Sequence, residues 1–338
     1  MDRTQLDPQP NFLLLDRAVI KQVMSLDAAL DCAEQALRKT SNGIAHQDVR
    51  RTLMLPGAAG SCLSMMYADL ADQPLFGAKV LSVFPDNFAH GYGSHRGVVV
   101  LFEKSRGRPV GLIDGGELTG WRTAAASAVA TRALSRPESE TLALMGYGEQ
   151  ARRHIATLAQ VRPIRRLRIW GRNRHKAEAF AREQADAGFE VEAFSDAREA
   201  VSTADIICTV TSSETPVLSG DWLPKGVHVN AVGASVPSCR ELDLGCVLRA
   251  SIWVDYMPMA LTAAGELVEA IAQGAITKDH LRGEIGAVLE GSAPGRECPE
   301  DITIYRSLGV PAQDIELANF LYNAARQQGL GTQVELSL

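Results

Sequence analysis

With 338 residues, 46% hydrophobic and 22% charged, the chain is long enough for two domains with real cores and lacks the composition of a disordered protein. A formal net charge of -6 with dispersed Lys and Arg excludes the basic footprint of nucleic-acid or membrane-surface binding, so a small soluble ligand is the expected partner. The 6 cysteines form no C-x-x-C pair and the histidines show no metal-ligand spacing, so neither a metal site nor a dense disulfide framework is expected. No apolar run approaches the roughly 18 to 20 residues of a membrane span, and the stretch from Phe12 to Leu15 is too short for a signal segment, so a cytoplasmic location is expected.

In chain order, Phe12 to Leu15 reads as a short strand. Helices follow, with Ser25 as an N-cap before Leu26, Ala29, Leu30, Ala33 and Leu37, and Gly43 ends the pattern. From about 50 to 114 the runs Arg51 to Leu55, Cys62 to Tyr67, Leu75 to Phe84, Val98 to Phe102 and Val110 to Ile113 predict a mainly antiparallel sheet. An Ala-rich helix is expected from about Thr119 through Ala133, stopped by Arg136-Pro137-Glu138. Strands and helices then alternate from Leu142 to Val254, the pattern of a parallel sheet covered on both faces. A last strand is expected over residues 302–308, and Pro311 opens a helix with Ile315, Ala318, Leu321, Tyr322 and Ala325 on one face, placed to pack on the first domain. The expected fold is α/β: a Rossmann-type parallel-sheet domain over 123–310, and an α+β, mainly antiparallel-sheet domain over 1–122 and 311–338.

Gly146-x-Gly148-x-x-Ala151 follows an apolar strand and precedes a helix, which suits a tight turn whose backbone N–H groups meet a diphosphate. Glu149, Gln150 and Thr123 join it as cofactor-side candidates. An acidic residue after the second strand would grip an adenosine ribose. The chain has Gly171-Arg172-Asn173-Arg174 instead, which suits a ribose 2′-phosphate and favours NADP over NAD. Thr209 and Thr211 after one strand, and Val232 and Ser235 after the next, are expected on the nicotinamide side.

Three cations stand out in the first domain. Lys79 lies in a strand apolar on both faces, where an unpaired ammonium is costly; it needs an anion or a lowered pKa, and a structural ion pair with an Asp or Glu is the reading without a functional role. If Thr119 caps its helix, Arg122 falls in the first turn, where a cation is best tolerated with a bound anion. Arg51, with Arg50 beside it, begins another strand. One carboxylate met by these groups would make an amino-acid or keto-acid site. Ser94 and His95 precede a strand of the same domain, either facing the pocket to read a second carboxylate with Arg96 or forming a solvated turn.

The chain resembles the ornithine cyclodeaminase and mu-crystallin family. The likeness covers roughly residues 12–328 and rests on Gly77-Ala78-Lys79, the run from Asp114 to Ala125, Gly146 to Ala151, Asn230 to Ser235 with Arg240-Glu241-Leu242-Asp243, and Ser307-Leu308-Gly309. It implies that Arg51 (or Arg50), Lys79 and Arg122 hold a substrate carboxylate, that Gly146, Gly148 and Gln150 meet the pyrophosphate, and that Leu308 and Gly309 approach the nicotinamide. It also implies a homodimer formed through the antiparallel-sheet domain. Family members that cyclise ornithine or lysine carry an Asp where this chain has Ser235, and serine is a poor base without a partner. The resemblance is therefore nearer to ketimine reductases, and implies NAD(P)H-dependent reduction of an α-imino acid. Such a reduction needs a proton source near the imine nitrogen, for which Lys79 is the expected catalytic residue, with a water held by a neighbour as the alternative. Two rivals follow: a cyclodeaminase that recycles bound NAD, and a crystallin-like binding protein without turnover.

Overall fold

The computed structural model describes residues 12–57, 60–84, 87 and 90–336. Residues 1–11 and 337–338 of the expected first domain lie outside the described residues. The chain divides into two compact units: the described residues up to Ser25 with Ile44–Thr119 and everything from Pro311, and Leu26–Gly43 with Gly120–Val310.

The first unit contains β1 (Phe12–Leu15), α1 (Arg17–Val23), β2 (Ala45–Gln47), β3 (Arg51–Met54), β4 (Cys62–Leu70), β5 (Leu75–Val83), β6 (His95–Glu103), β7 (Pro109–Asp114), α11 (Pro311–Gln328) and β16 (Thr332–Val334). Its sheet runs β16-β1-β7-β6-β5-β4-β2, with β3 also on β4, and only the β1/β7 pair is parallel. Burial alternates along β4: Cys62, Ser64, Met66 and Ala68 point inward, while Leu63, Met65 and Tyr67 are exposed. β5 is likewise buried at Leu75, Gly77 and Lys79 but only half-buried at Phe76, Ala78 and Val80, so within this chain one face is covered rather than the two expected. Helix α11 supplies that cover. Its predicted stripe is buried, and so are Gln313, Asp314, Glu316 and Asn319, with the Asn319 amide donating to the Leu75 carbonyl at 3.2 Å.

The second unit contains α2 (Leu26–Ser41), most of α3 (Gly115–Leu134), β8 (Thr141–Met145), α4 (Glu149–Val161), β9 (Arg166–Trp170), α5 (Arg174–Ala185), β10 (Glu190–Phe194), α6 (Ala197–Val201), β11 (Ile206–Thr209), β12 (His228–Ala231), α7 (Leu244–Arg249), β13 (Ser251–Val254), α8 (Met257–Ala263), α9 (Gly265–Ala272), β14 (Leu281–Glu284), α10 (Ile285–Leu289) and β15 (Thr303–Arg306). Its strands, ordered β10-β9-β8-β11-β12-β15-β13-β14, are all parallel. β8, β11, β12 and β15 are buried at every position, as strands covered on both faces must be. Strand order reverses between β8 and β11, and ligands of such sheets bind outside the carboxyl ends there.

Two expectations are corrected. Helix α2, expected in the first domain, groups with the second unit, because Leu37 meets Gly286 too closely for any side chain on that glycine. Polar links add to this: Ser41 donates to Glu284 at 2.9 Å, and Gln160 to Asp27 at 3.0 Å. Helix α3 begins at Gly115 rather than near Thr119, because the Asp114 carboxylate accepts the Glu117 N–H at 2.7 Å and acts as the cap. Arg122 therefore lies beyond the first turn, and the dipole argument for an anion beside it lapses.

Candidate active site

The glycine turn has the geometry its sequence predicts. Gly146 adopts φ +126, and a Cβ there would lie 2.9 Å from the Val210 carbonyl oxygen, so only glycine closes this turn between β8 and α4. Gly148 caps α4 with extended backbone and open space around its Cα, which leaves the first N–H groups of a 13-residue helix available to an anion. Glu149 is exposed and Gln150 half-buried beside them, and Thr123 is buried on α3. These features fit a dinucleotide pyrophosphate.

After β9, Arg172, Asn173 and Arg174 are all exposed. The Asn173 side chain caps α5 by accepting the Lys176 N–H at 3.0 Å, so it has a structural task. Arg174 pairs with Glu178 at 2.7 Å, and its hydrogen bond holds that carboxyl below its ordinary range.

The loops after β11 and β12 meet at a carboxylate that sequence reasoning did not single out. Glu241 is 2% exposed, and its Oε2 accepts from the Thr209 hydroxyl at 2.9 Å, the Gly233 N–H at 2.6 Å and the Ala234 N–H at 3.3 Å. Its Oε1 accepts from the Thr211 N–H at 2.6 Å and the Thr211 hydroxyl at 2.7 Å. Burial pushes this carboxyl above its ordinary range, opposed by the Thr211 and Thr209 hydrogen bonds and the Arg306 charge. The hydroxyls of Thr209 and Thr211 thus serve Glu241. Val232 is buried and Ser235 half-buried on the same loop.

A second buried carboxylate shapes the turn after β15. Asp255, fully buried, accepts the Leu308 and Gly309 N–H groups, each at 2.7 Å. Burial raises its carboxyl, against those two N–H groups and the charges of Arg306 and Arg122. Gly309 adopts φ +77 with the Arg122 guanidinium against it: a Cβ there would be 2.8 Å from Arg122 Cζ. The structure thus joins Arg122, 7% exposed, to the Leu308–Gly309 turn.

In the first unit, Lys79 is 1% exposed, and both Asp314 oxygens lie 2.8 Å from its Nζ. The Thr119 hydroxyl accepts a longer bond at 3.4 Å. The anion that the sequence demanded comes from α11. Arg51 is differently placed: it pairs across the sheet with Met65, whereas Lys79 pairs with Met66, so the two side chains leave opposite faces. Arg51 binds Asp48 at 2.6 Å with its side chain 63% exposed, and Arg50, just before the strand, is half-buried. Ser94 is buried, His95 exposed, and the Ser94 hydroxyl lies 2.8 Å from His95 Nδ1.

Residues 11–329 match the family model described as "Ornithine cyclodeaminase/mu-crystallin family". The chain belongs to the ornithine cyclodeaminase/mu-crystallin family. Within it, the chain is 34% identical over 317 residues to a Delta(1)-pyrroline-2-carboxylate reductase of Bacillus cereus, covering 93% of this chain and 97% of that protein. It is 32% identical, at the same coverage of both chains (93% and 97%), to the rat ketimine reductase mu-crystallin. Among solved structures, the Delta(1)-pyrroline-2-carboxylate reductase of Thermococcus litoralis in complex with NADH and L-proline superposes with a TM-score of 0.92 at 30% identity, covering 96% of this chain and 100% of that one. Every site residue from Arg51 to Gly309 lies within the family match.

Proposed function

We propose that this chain is an NAD(P)H-dependent oxidoreductase that reduces the C=N bond of an α-imino acid, a cyclic ketimine or an imine of a keto acid and ammonia, to the L-amino acid. The observation that carries the reading is its end-to-end likeness to two reductases named for this chemistry. The buried Lys79 and the Arg122–Gly309 contact support it from within the molecule.

In this reading NAD(P)H, when bound, supplies the hydride to the imine carbon. The chain positions and protonates. Arg122 and Lys79, with Arg50 in place of Arg51, whose side chain leaves the opposite face of the sheet from Lys79, hold the substrate carboxylate, and the α4 N-terminus with Gly146, Gly148, Glu149 and Gln150 holds the pyrophosphate. Thr123, Val232, Ser235, Leu308 and Gly309 border the nicotinamide half. Thr209 and Thr211 act there through Glu241. Lys79 is the catalytic acid: its ammonium gives a proton to the imine nitrogen, and Asp314 keeps that ammonium turned inward. Ser94 and His95 read the far end of the substrate. Ser235, lacking a carboxylate, supports net reduction over internal deamination.

NADP is the preferred nucleotide in this reading, supported by the exposed Arg172, Asn173 and Arg174 where an acidic residue would favour NAD. A homodimer is supported by Leu53, Leu63, Met65 and Tyr67, an exposed apolar face on adjacent strands β3 and β4. The test is a screen of cyclic ketimines, iminosuccinate and keto acids with ammonia, run with NADPH and NADH in parallel. Consumption of reduced cofactor with stoichiometric amino acid is expected with at least one substrate. No consumption with any of them contradicts the proposal.

A further inference from the structure

We infer that Glu241 is the positioning residue for the nicotinamide half of the dinucleotide site, because its carboxylate is the common acceptor that draws the loop after β11 and the loop after β12 together beside the switch point. The inference rests on reading this unit as a nicotinamide dinucleotide site.

Among the described residues, every hydrogen bond to the Glu241 side chain comes from those two loops: Thr209 and Thr211 on one, Gly233 and Ala234 on the other. Three of the donors are backbone N–H groups, which cannot turn to find another acceptor. Both carboxylate oxygens are used, so an amide in this place would set its NH2 against either the Thr211 or the Gly233 N–H. The loops are also pressed together, since a Cβ on Gly233 would lie 2.6 Å from Glu241 Oε1 and closer still to the Thr211 carbonyl oxygen. On the other side, Arg306 donates to the Ala231 carbonyl at 3.2 Å and the Ala234 carbonyl at 2.6 Å, so the β12 loop is gripped from two directions. The first loop leaves the carboxyl end of β11, the neighbour of β8, and the second that of β12, the next strand along, at the end of the sheet where a ligand binds. The diphosphate turn meets the loop after β11 at Val210, but its own anchors are strand bonds that do not involve Glu241: the Gly146 N–H donates to the Trp170 carbonyl at 2.8 Å and the Val210 N–H to the Met145 carbonyl at 3.0 Å. A change at Glu241 should therefore divide the two halves of the cofactor.

Glu241→Gln and Gly233→Ala in the full chain test this, with NADH binding followed by nicotinamide fluorescence and ADP binding by calorimetry. In both variants the Kd for NADH is expected to rise about tenfold or more, as when a buried donor loses its acceptor, while the Kd for ADP stays as in the wild type. A residue that merely held the unit together would weaken both ligands alike. Unchanged NADH affinity in both variants, or ADP affinity falling in step with it, overturns the inference. If Glu241→Gln does not fold, Gly233→Ala, which keeps the carboxylate, decides alone. A wild-type chain that binds ADP but neither NADH nor NADPH instead overturns the underlying assignment of a nicotinamide site.

Discussion

Asp314 in the first unit and Glu241 in the second are both almost wholly buried carboxylates, yet they are stabilised by different means. Asp314 faces a buried ammonium, Lys79, and the charges cancel. Glu241 meets hydroxyls and backbone N–H groups that carry no net charge. A buried pair is costly to break, because removing one partner leaves the other charge in a low dielectric with nothing opposite it. A carboxylate held by neutral donors loses hydrogen bonds one at a time, so a change there is felt locally. The first arrangement suits a group that carries charge to the substrate, and the second suits a joint that fixes two loops.

The sharpest break of this comparison is Asp314→Asn, which should lower unfolding free energy by about 3–5 kcal/mol in urea denaturation. Lys79→Met combined with Asp314→Leu should recover most of that stability. It should nevertheless leave kcat roughly 10²-fold or more below wild type, because the acid is gone. Glu241→Gln should cost less, about 1–3 kcal/mol, the penalty of an unmet buried donor. A loss equal to that of Asp314→Asn would mean that Glu241 is part of a charge pair after all.

Acid should act on the second unit through its buried histidines. Burial holds His154 at about 4 and His228 at about 3, against an ordinary value of 6.5. Both stay neutral when folded and take up a proton when unfolded, so their contribution is complete above pH 6.5 and is lost progressively as pH falls toward 4 and 3. Thermal melts across that range should show it, and His154→Gln should flatten the part above pH 4. The smallest effect is expected at the exposed Arg172: Arg172→Ala should raise KM for NADPH severalfold and leave that for NADH unchanged, as for a single exposed contact to a 2′-phosphate.

Features set by neighbours in the chain were legible from the sequence. The turn at Gly146 and Gly148, the stripe on α11 and the alternation of parallel strands follow from periodicity and glycine chemistry, and each is present. What the sequence could not show depends on distant partners. Asp314 is 235 positions from Lys79, and nothing local marks it as the counter-ion. Glu241 lies 32 positions from Thr209, and its only local sign is an acidic residue shortly after Gly233-Ala234-Ser235. The start of α3 was misplaced because Thr119 and Asp114 are both good caps, and the close fit of Gly115 on Gly97 chose between them. The facing of Arg51 turned on a register that a one-residue shift would reverse.

The most direct test is to follow NAD(P)H absorbance and amino-acid product together, first with a five-membered cyclic α-imino acid and then with ornithine alone. Net reduction predicts that reduced cofactor is consumed in step with proline formed from the imine, that ornithine gives no ammonia, and that Lys79→Met abolishes the first reaction. Proline and ammonia from ornithine without net change in cofactor would contradict it.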